Sequence, residues 1–426
     1  MVHAHARAQR DEETKLAMTD RADNDARRAA KKRFKKLSVL YSNAKCKNVT
    51  ALLGKILMDG RFPDTLDQNI DIVGLGDGML YDLSTGSARK ACADDRLSLT
   101  TRVPFVKPSQ EERTAVMRFI SDIFDSSRTT MDYVLKLMAS MLGGDTTDEL
   151  FHVLIGSGAN GKSKLQELVR LTFGSYYATV PSTLFTMKRG GAQNATSAYE
   201  HIVNKRAVFV QEPESGQQLN AGVLKELSGG DVIYSRGLYK SGREFKPQAK
   251  WCLVSNNLPE VPATDKALWR RLRAIPFEIT FKEDPQGNKE KLRDDTISAQ
   301  LPLWAPAFQY ILLTEYYPRY IKEGLAVMPA AVRKATHGYR KDSCPLNCFV
   351  HENLIEEGGE EQAQDPKEEV LYVAFLHLVQ RIREHYSGIS PRCPSQETLE
   401  HYFSKRWGGM TQLQEGEQGW TSVSWR

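Results

Sequence analysis

Three continuous apolar runs, Leu150–Ile155, Ala207–Val210 and Trp251–Val254, stand in the middle of the chain, and each leads into polar or Gly-rich sequence. Short apolar runs without alternation predict buried strands. After the first run, Lys164–Leu171 repeats its apolar residues at helical spacing. Upstream, Ser109-Gln110-Glu111-Glu112 is a capping-box sequence, and Val116, Phe119, Ile120, Ile123 and Phe124 follow on one helical face. A second helix is predicted over Met131–Leu142, closed by Gly143-Gly144. Between Ile70 and Thr101 short β-prone runs alternate with turn residues, which predicts a small meander. Its Gly74, Gly76 and Gly78 read as turn glycines, because no helix follows them as a dinucleotide fingerprint would require. Beyond the acidic, Gly-containing break Glu356–Glu361, a helix is predicted through Val370, Leu371, Ala374, Phe375, Leu378 and Ile382. A second runs from the cap Ser395 through Leu399, Phe403 and Trp407, and β-prone pieces flank the turn Glu415–Gly419. Helices followed by a hairpin predict a winged-helix-like unit.

These patterns predict an α/β chain in five segments: a basic flexible or helical stretch at 1–40, an accessory α+β and helical domain at 41–145, and an α/β core at 146–285. A helical extension with an acidic linker follows at 286–365, and the winged unit at 366–426. Residues 1–40 carry 11 Lys and Arg against 6 Asp and Glu, whereas the remainder is balanced at 47 against 47. The basic run Arg27–Lys36 therefore fits a nucleic-acid contact or a nuclear address as well as it fits a solvated helix or tail. The chain has no run of 18 apolar residues and no charged-then-apolar leader, so an intracellular protein without a membrane span is expected. The six cysteines fit reduced thiols. Cys344, Cys348 and His351, with Cys393 or His401 as a remote fourth group, lack the second paired unit of a zinc site, so no resident metal is expected there.

Candidate chemistry centres on Gly156-Ser157-Gly158-Ala159-Asn160-Gly161-Lys162-Ser163, which fits G-x-x-x-x-G-K-[ST] between a predicted strand and a predicted helix. Such a loop turns backbone N–H groups toward phosphates at a helix N-terminus. Lys162 supplies a point charge for the β- and γ-phosphates, and Ser163 a hydroxyl for Mg²⁺. Three later motifs narrow the chemistry. Glu212 ends the second apolar run, with Glu214 two residues on, and is placed to hold the Mg²⁺ shell or take a proton from water. Asn256 ends the third run, where an uncharged amide both donates to a γ-phosphate and accepts from water, while Asn257 before Leu258-Pro259 reads as turn chemistry. Arg270 and Arg271 follow, a pair suited to neutralising charge on a phosphoryl group in a neighbouring subunit. Between the Glu and Asn strands, a predicted hairpin interleaves Arg236, Lys240, Arg243 and Lys246 with Tyr234, Tyr239 and Phe245, a mixture suited to the phosphates and bases of a single strand.

Taken in order, Gly156–Ser163, Gln211-Glu212-Pro213-Glu214, Leu227-Ser228-Gly229-Gly230-Asp231, Ser255-Asn256-Asn257-Leu258-Pro259 and Trp269-Arg270-Arg271-Leu272 with Ile275-Pro276-Phe277 resemble a superfamily 3 helicase of the poxvirus-type and satellite-phage-type primase-helicase branch. Gly78–Gly86 resembles that family's accessory-domain pattern, with Asp77 where Asn is usual. The resemblance covers about residues 65–340. It implies an AAA+-like core, ATP and Mg²⁺, hexameric rings, translocation on single-stranded or forked DNA, and a pore-hairpin lysine matched by Lys240. It also implies a host cytoplasmic or nuclear setting if the source is viral, and replication partners such as a separate primase or polymerase. Only some 65 residues precede the accessory pattern, so priming by this chain is not expected. The alternative is an ATP-regulated initiator or loader that binds DNA through the terminal unit without processive unwinding. A small-molecule kinase is disfavoured, because the Asn strand and Arg pair would have no task in it.

Overall fold

A computed structural model describes residues 28–29, 31–33, 35, 43–57, 62–125, 127–186, 196–214, 217–235, 242–261, 265–343, 346, 349–350, 353–356, 373–385, 395–413, 417–421 and 423–425. The chain divides into two units, Met1–Leu66 and Asp67–Arg426. In the first, the described basic residues are helical and exposed, and helix α1 spans Asn43–Leu57.

The second unit opens with the predicted meander, an antiparallel sheet of β1 (Ile72–Gly74), β2 (Met79–Asp82) and β3 (Ser87–Lys90). Gly76 and Gly78 stand in the turn between β1 and β2, Gly78 at φ +77°. Gly74 lies in β1, where a Cβ would stand 2.4 Å from the Leu99 carbonyl oxygen, and at Gly76 it would meet Arg102 at 2.3 Å. Both are close-approach glycines, set by packing that turn chemistry does not foresee. Helices α2 (Gln110–Ile123) and α3 (Arg128–Ser140) follow, and α2 begins with the complete capping box of Ser109 and Glu112.

The central sheet is wholly parallel, in the order β10-β4-β9-β6-β5. Its strands are β4 (Phe151–Ile155), β5 (Tyr177–Val180), β6 (Ala207–Val210), β9 (Lys250–Ser255) and β10 (Leu272–Pro276). The phosphate-loop strand thus sits between the last and fourth strands, as an AAA+-like P-loop core requires. Alternate residues serve opposite faces. Leu154, Phe209, Cys252 and Ile275 join one hydrophobic core with α2, α3 and the loop helix α4 (Lys162–Phe173). Phe151, Val208, Val210, Trp251, Leu253 and Leu272 join a second core on the other face. The first core runs on without a break from the meander into the helices after the sheet, so the meander and the sheet share one interior. Helix α5 (Thr196–Ile202) lies between β5 and β6, and between β6 and β10 lie α6 (Ala221–Gly229), the antiparallel pair of β7 (Ile233–Ser235) and β8 (Arg243–Phe245), and α7 (Lys266–Trp269).

After β10, the short parallel pair β11 (Thr280–Lys282) and β12 (Glu290–Leu292) leads into α8 (Ile297–Ile311), α9 (Tyr317–Glu323) and α10 (Ala330–Asp342). A third core gathers Phe349, Leu378, Leu399, Phe403 and Trp420. There, the first predicted helix is shorter than its apolar spacing suggests. Leu354–Glu356 form strand β13 and Val373–Ala374 form strand β14, and α11 starts at Phe375 and ends at His385. Backbone pairing of Val373 with Trp420 on β16 (Gln418–Trp420) overrides helical propensity there. Helix α12 (Gln396–Trp407) is capped by Ser395 as predicted, and β15 (Thr411–Gln412) pairs antiparallel with β16. Cys344, Cys348, His351 and Cys393 lie outside the described residues. Among those described, no group of three metal-ligating side chains converges and no helix is long and apolar enough to cross a membrane.

Candidate active site

Register alone brings the three chemical strands together. Ile155 on β4 pairs with Ser255 on β9, so Gly156 and Asn256 leave the sheet side by side. Val210 pairs with Leu253, which sets Glu212 opposite Ser255. The site therefore lies beyond the carboxyl ends of parallel strands, where open α/β sheets bind ligands.

The loop itself is built by positive φ angles at Gly158 (+78°), Ala159 (+45°) and Gly161 (+83°). This conformation turns successive N–H groups inward as an anion nest and suits glycine, so Ala159 carries local strain. At Gly161 a Cβ would lie 2.8 Å from Ile123 Cγ1, so accessory helix α2 presses directly on the loop. Gly156 is closed in by the Asn160 side chain, whose buried Nδ2 has no hydrogen-bond partner.

Lys162 is buried at the start of α4, and its ammonium donates to Gly156 O at 2.6 Å, Asn256 Oδ1 at 3.1 Å and Asn160 Oδ1 at 3.2 Å. Burial pushes its pKa below the usual lysine value, with the Glu212 carboxylate pulling the other way. Glu212 in turn accepts from the Asn256 backbone N–H at 2.6 Å, from Asn256 Nδ2 at 3.2 Å and from Ser255 Oγ at 3.1 Å. Lysine, amide and carboxylate thus form one chain of hydrogen bonds. Ser163 is exposed in the same cleft, of about 1490 Å³. Glu214 stands apart, accepting from Gln217 Nε2 at 3.1 Å.

The cleft also has walls that motif reading missed. Phe119, Phe281, Leu292, Ile297 and Trp304 make an apolar side, and Arg118 reaches the same space. The Phe281 N–H donates to Ala159 O at 2.7 Å, so β11 is fastened to the loop. Lys291, next to Leu292 on β12, pairs with Asp122 at 2.7 Å and Asp125 at 3.1 Å, tying the strap to the end of α2. The run Thr280–Trp304 has no local signature; its role comes from crossing the loop.

The remaining predicted residues separate. Arg270 and Arg271 lie before β10, at the end of the sheet opposite the loop, as Leu272 pairs with Phe151 and Pro276 with Ile155. An exposed edge was expected for both, but only Arg270 is exposed, at 66% of its side chain against 10% for Arg271. The difference arises because Arg271 turns inward to donate to Ala267 O while Arg270 faces solvent. In the hairpin, Tyr234 is exposed and Phe245 half-buried against the second core. Arg243 is engaged by both oxygens of Glu200 on α5, which removes it from the set open to phosphates. Arg236, Tyr239 and Lys240 lie outside the described residues.

Residues 154–271 match a family described as "Family of unknown function (DUF5906)". The chain is 32% identical over 364 residues to "Putative helicase L207/L206" of Acanthamoeba polyphaga mimivirus, covering 82% of this chain and 37% of that protein. It is 28% identical over 244 residues to "Putative helicase 184R" of Invertebrate iridescent virus 6, covering 54% and 25%. To "Putative primase C962R" of African swine fever virus (isolate Warthog/Namibia/Wart80/1980) it is 24% identical over 358 residues, covering 80% and 37%. The chain belongs with these helicase- and primase-named proteins of large DNA viruses. It spans little more than a third of the length of the mimivirus relative. Among solved structures, "The apo structure of NrS-1 C terminal region (305-718)" matches with a TM-score of 0.47 at 13% identity, covering 76% of this chain and 78% of that one.

Proposed function

We propose that this chain is the ATP-hydrolysing motor of a replicative DNA helicase of the superfamily 3 type, working on single-stranded DNA as a ring, six-membered by the family resemblance. The observation that carries the reading is the hydrogen-bonded chain from Lys162 through Asn256 to Glu212 at the carboxyl edge of the sheet. In it the ammonium already has three acceptors within the protein. Phosphate oxygens of an entering ATP replace those acceptors, which frees Asn256 and couples phosphate contact to the carboxylate. Glu212, released from the Asn256 amide, takes the proton of the attacking water, while Asn256 holds a γ-phosphate oxygen. The exposed Ser163 hydroxyl and Glu212 carboxylate are hard oxygen donors that fit Mg²⁺, which when bound with the nucleotide neutralises phosphate charge. The apolar wall of Phe281, Leu292 and Trp304 suits the base.

Size-resolved ATPase measurements, with and without single-stranded DNA and paired with a strand-displacement assay, test the reading. The expected result is hydrolysis in a large assembly, stimulated by DNA and accompanied by strand separation. Hydrolysis that never displaces a strand favours the initiator or loader, and no hydrolysis in any fraction overturns both.

A further inference from the structure

Two guanidiniums converge on one carboxylate oxygen at the edge remote from the phosphate loop. Arg270 Nη2 lies 2.9 Å and Arg271 Nη2 2.8 Å from Glu149 Oε2. The two arginines are held differently. Arg271 is fixed on several sides: its Nη1 donates to Ala267 O at 3.2 Å, its N–H to Leu268 O at 3.0 Å, and its own carbonyl accepts the Phe151 N–H at 2.9 Å. The Arg270 guanidinium, with most of its side chain in water, is held by Glu149. Glu149 has φ +51° at a non-glycine position and donates its N–H to Thr146 O at 3.1 Å, immediately before β4. A strained backbone therefore fixes where this carboxylate points.

Removing one of two cations from a carboxylate leaves a neutral pair, whereas removing the only one leaves a bare charge. Arg270 is thus free to depart while Arg271 keeps Glu149 satisfied, and an exposed ion pair is weak enough to exchange. A nucleotide's phosphates carry more negative charge than one carboxylate and compete successfully for a guanidinium. We propose that Glu149 is a positioning residue for a composite site: it parks Arg270 on its own subunit and yields it to a neighbour's nucleotide, while Arg271 remains as its standing partner. The proposal rests on the ring reading above, in which Arg270 acts between subunits.

The test follows self-association of the full chain by sedimentation equilibrium with a non-hydrolysable ATP analogue. Glu149→Gln removes the competing charge and is expected to tighten analogue-dependent association about two- to fivefold, the range one exposed ion pair commands. In an Arg270→Ala background the same change is expected to do nothing, a difference that a merely structural role for Glu149 would not produce. Glu149→Asp, with its charge drawn back by one methylene, should tighten association in the same direction and serves if the glutamine variant does not fold. No tightening with Arg270 present, or equal tightening without it, overturns the role of Glu149 while leaving the ring intact. Native ATPase in Arg270→Ala alone would remove the composite site itself, and this proposal with it.

Discussion

At Lys162 the fold surrounds an ammonium with three uncharged acceptors and one nearby carboxylate, the groups that phosphate oxygens would displace under the proposed function. Lys162→Ala is expected to abolish hydrolysis with the fold retained, because the loop loses its cation for the β- and γ-phosphates. Glu212→Gln should keep ATP binding yet slow turnover by about 100-fold or more, the scale of lost general-base assistance, with Glu214→Gln doing less. Nucleotide-binding titrations beside single-turnover rates separate the two cases, and equal mild effects of the two glutamine changes would remove Glu212 as the base. A second residue sets acid stability. His152 is fully buried in β4 beneath the site, within 3.1 Å of the Tyr133 hydroxyl, and burial with help from Arg273 pushes its pKa down to about 3. The unfolded chain takes up that proton near pH 6.5 and the folded chain does not, so stability is complete above that value. It is lost as pH falls toward 3, by up to about 1.4 kcal/mol per unit. Melting temperatures measured from pH 7 to 4 should fall more steeply for the native chain than for His152→Gln. Parallel curves would show that His152 is not the group responsible.

At the scale of elements, the loop is held by pieces distant in sequence. α2 presses on Gly161 through Ile123, and β11 bonds to Ala159, so the segment before the sheet and the strap after β10 both bear on the loop. The β7–β8 hairpin is organised differently, since Arg243 is spent on Glu200 and Tyr234 is left exposed. If Lys240, between β7 and β8 in sequence, grips a DNA phosphate, Lys240→Ala should keep basal ATPase and assembly but lose DNA stimulation and strand separation. Unwinding by this variant at the native rate would reduce the hairpin to a structural edge.

For the whole molecule, the arginines and the phosphate loop occupy opposite ends of β4 and β10, roughly 13 Å apart along strands of five residues. One subunit is thus poorly placed to use both in its own site. Arg270→Ala and Lys162→Ala are each expected to be inactive alone, yet mixtures should regain activity, because the defects fall on opposite sides of a shared site. Activity measured across mixing ratios decides the matter, provided mixed assembly is verified; no recovery at any ratio would argue against composite sites.

What was legible in the sequence was local. The apolar runs of β4, β6 and β9, the capping box at Ser109, the cap at Ser395, and the loop Gly156–Ser163 each follow from residues within one turn or one strand of each other. Their polar endings also marked Lys162, Glu212 and Asn256, because a residue that stops a buried strand at the sheet edge is already placed for chemistry. What only the tertiary structure decided was relational. Gly74 and Gly76 are small because Leu99 and Arg102 come close, Val373 is a strand residue because Trp420 pairs with it, and Arg243 is committed because Glu200 lies beside it. Arg270 and Arg271 share the carboxylate of Glu149, more than a hundred residues earlier. No periodicity encodes such partners, since spacing along a chain specifies a face or a turn, whereas contact across a sheet depends on register that the whole core must fold to set.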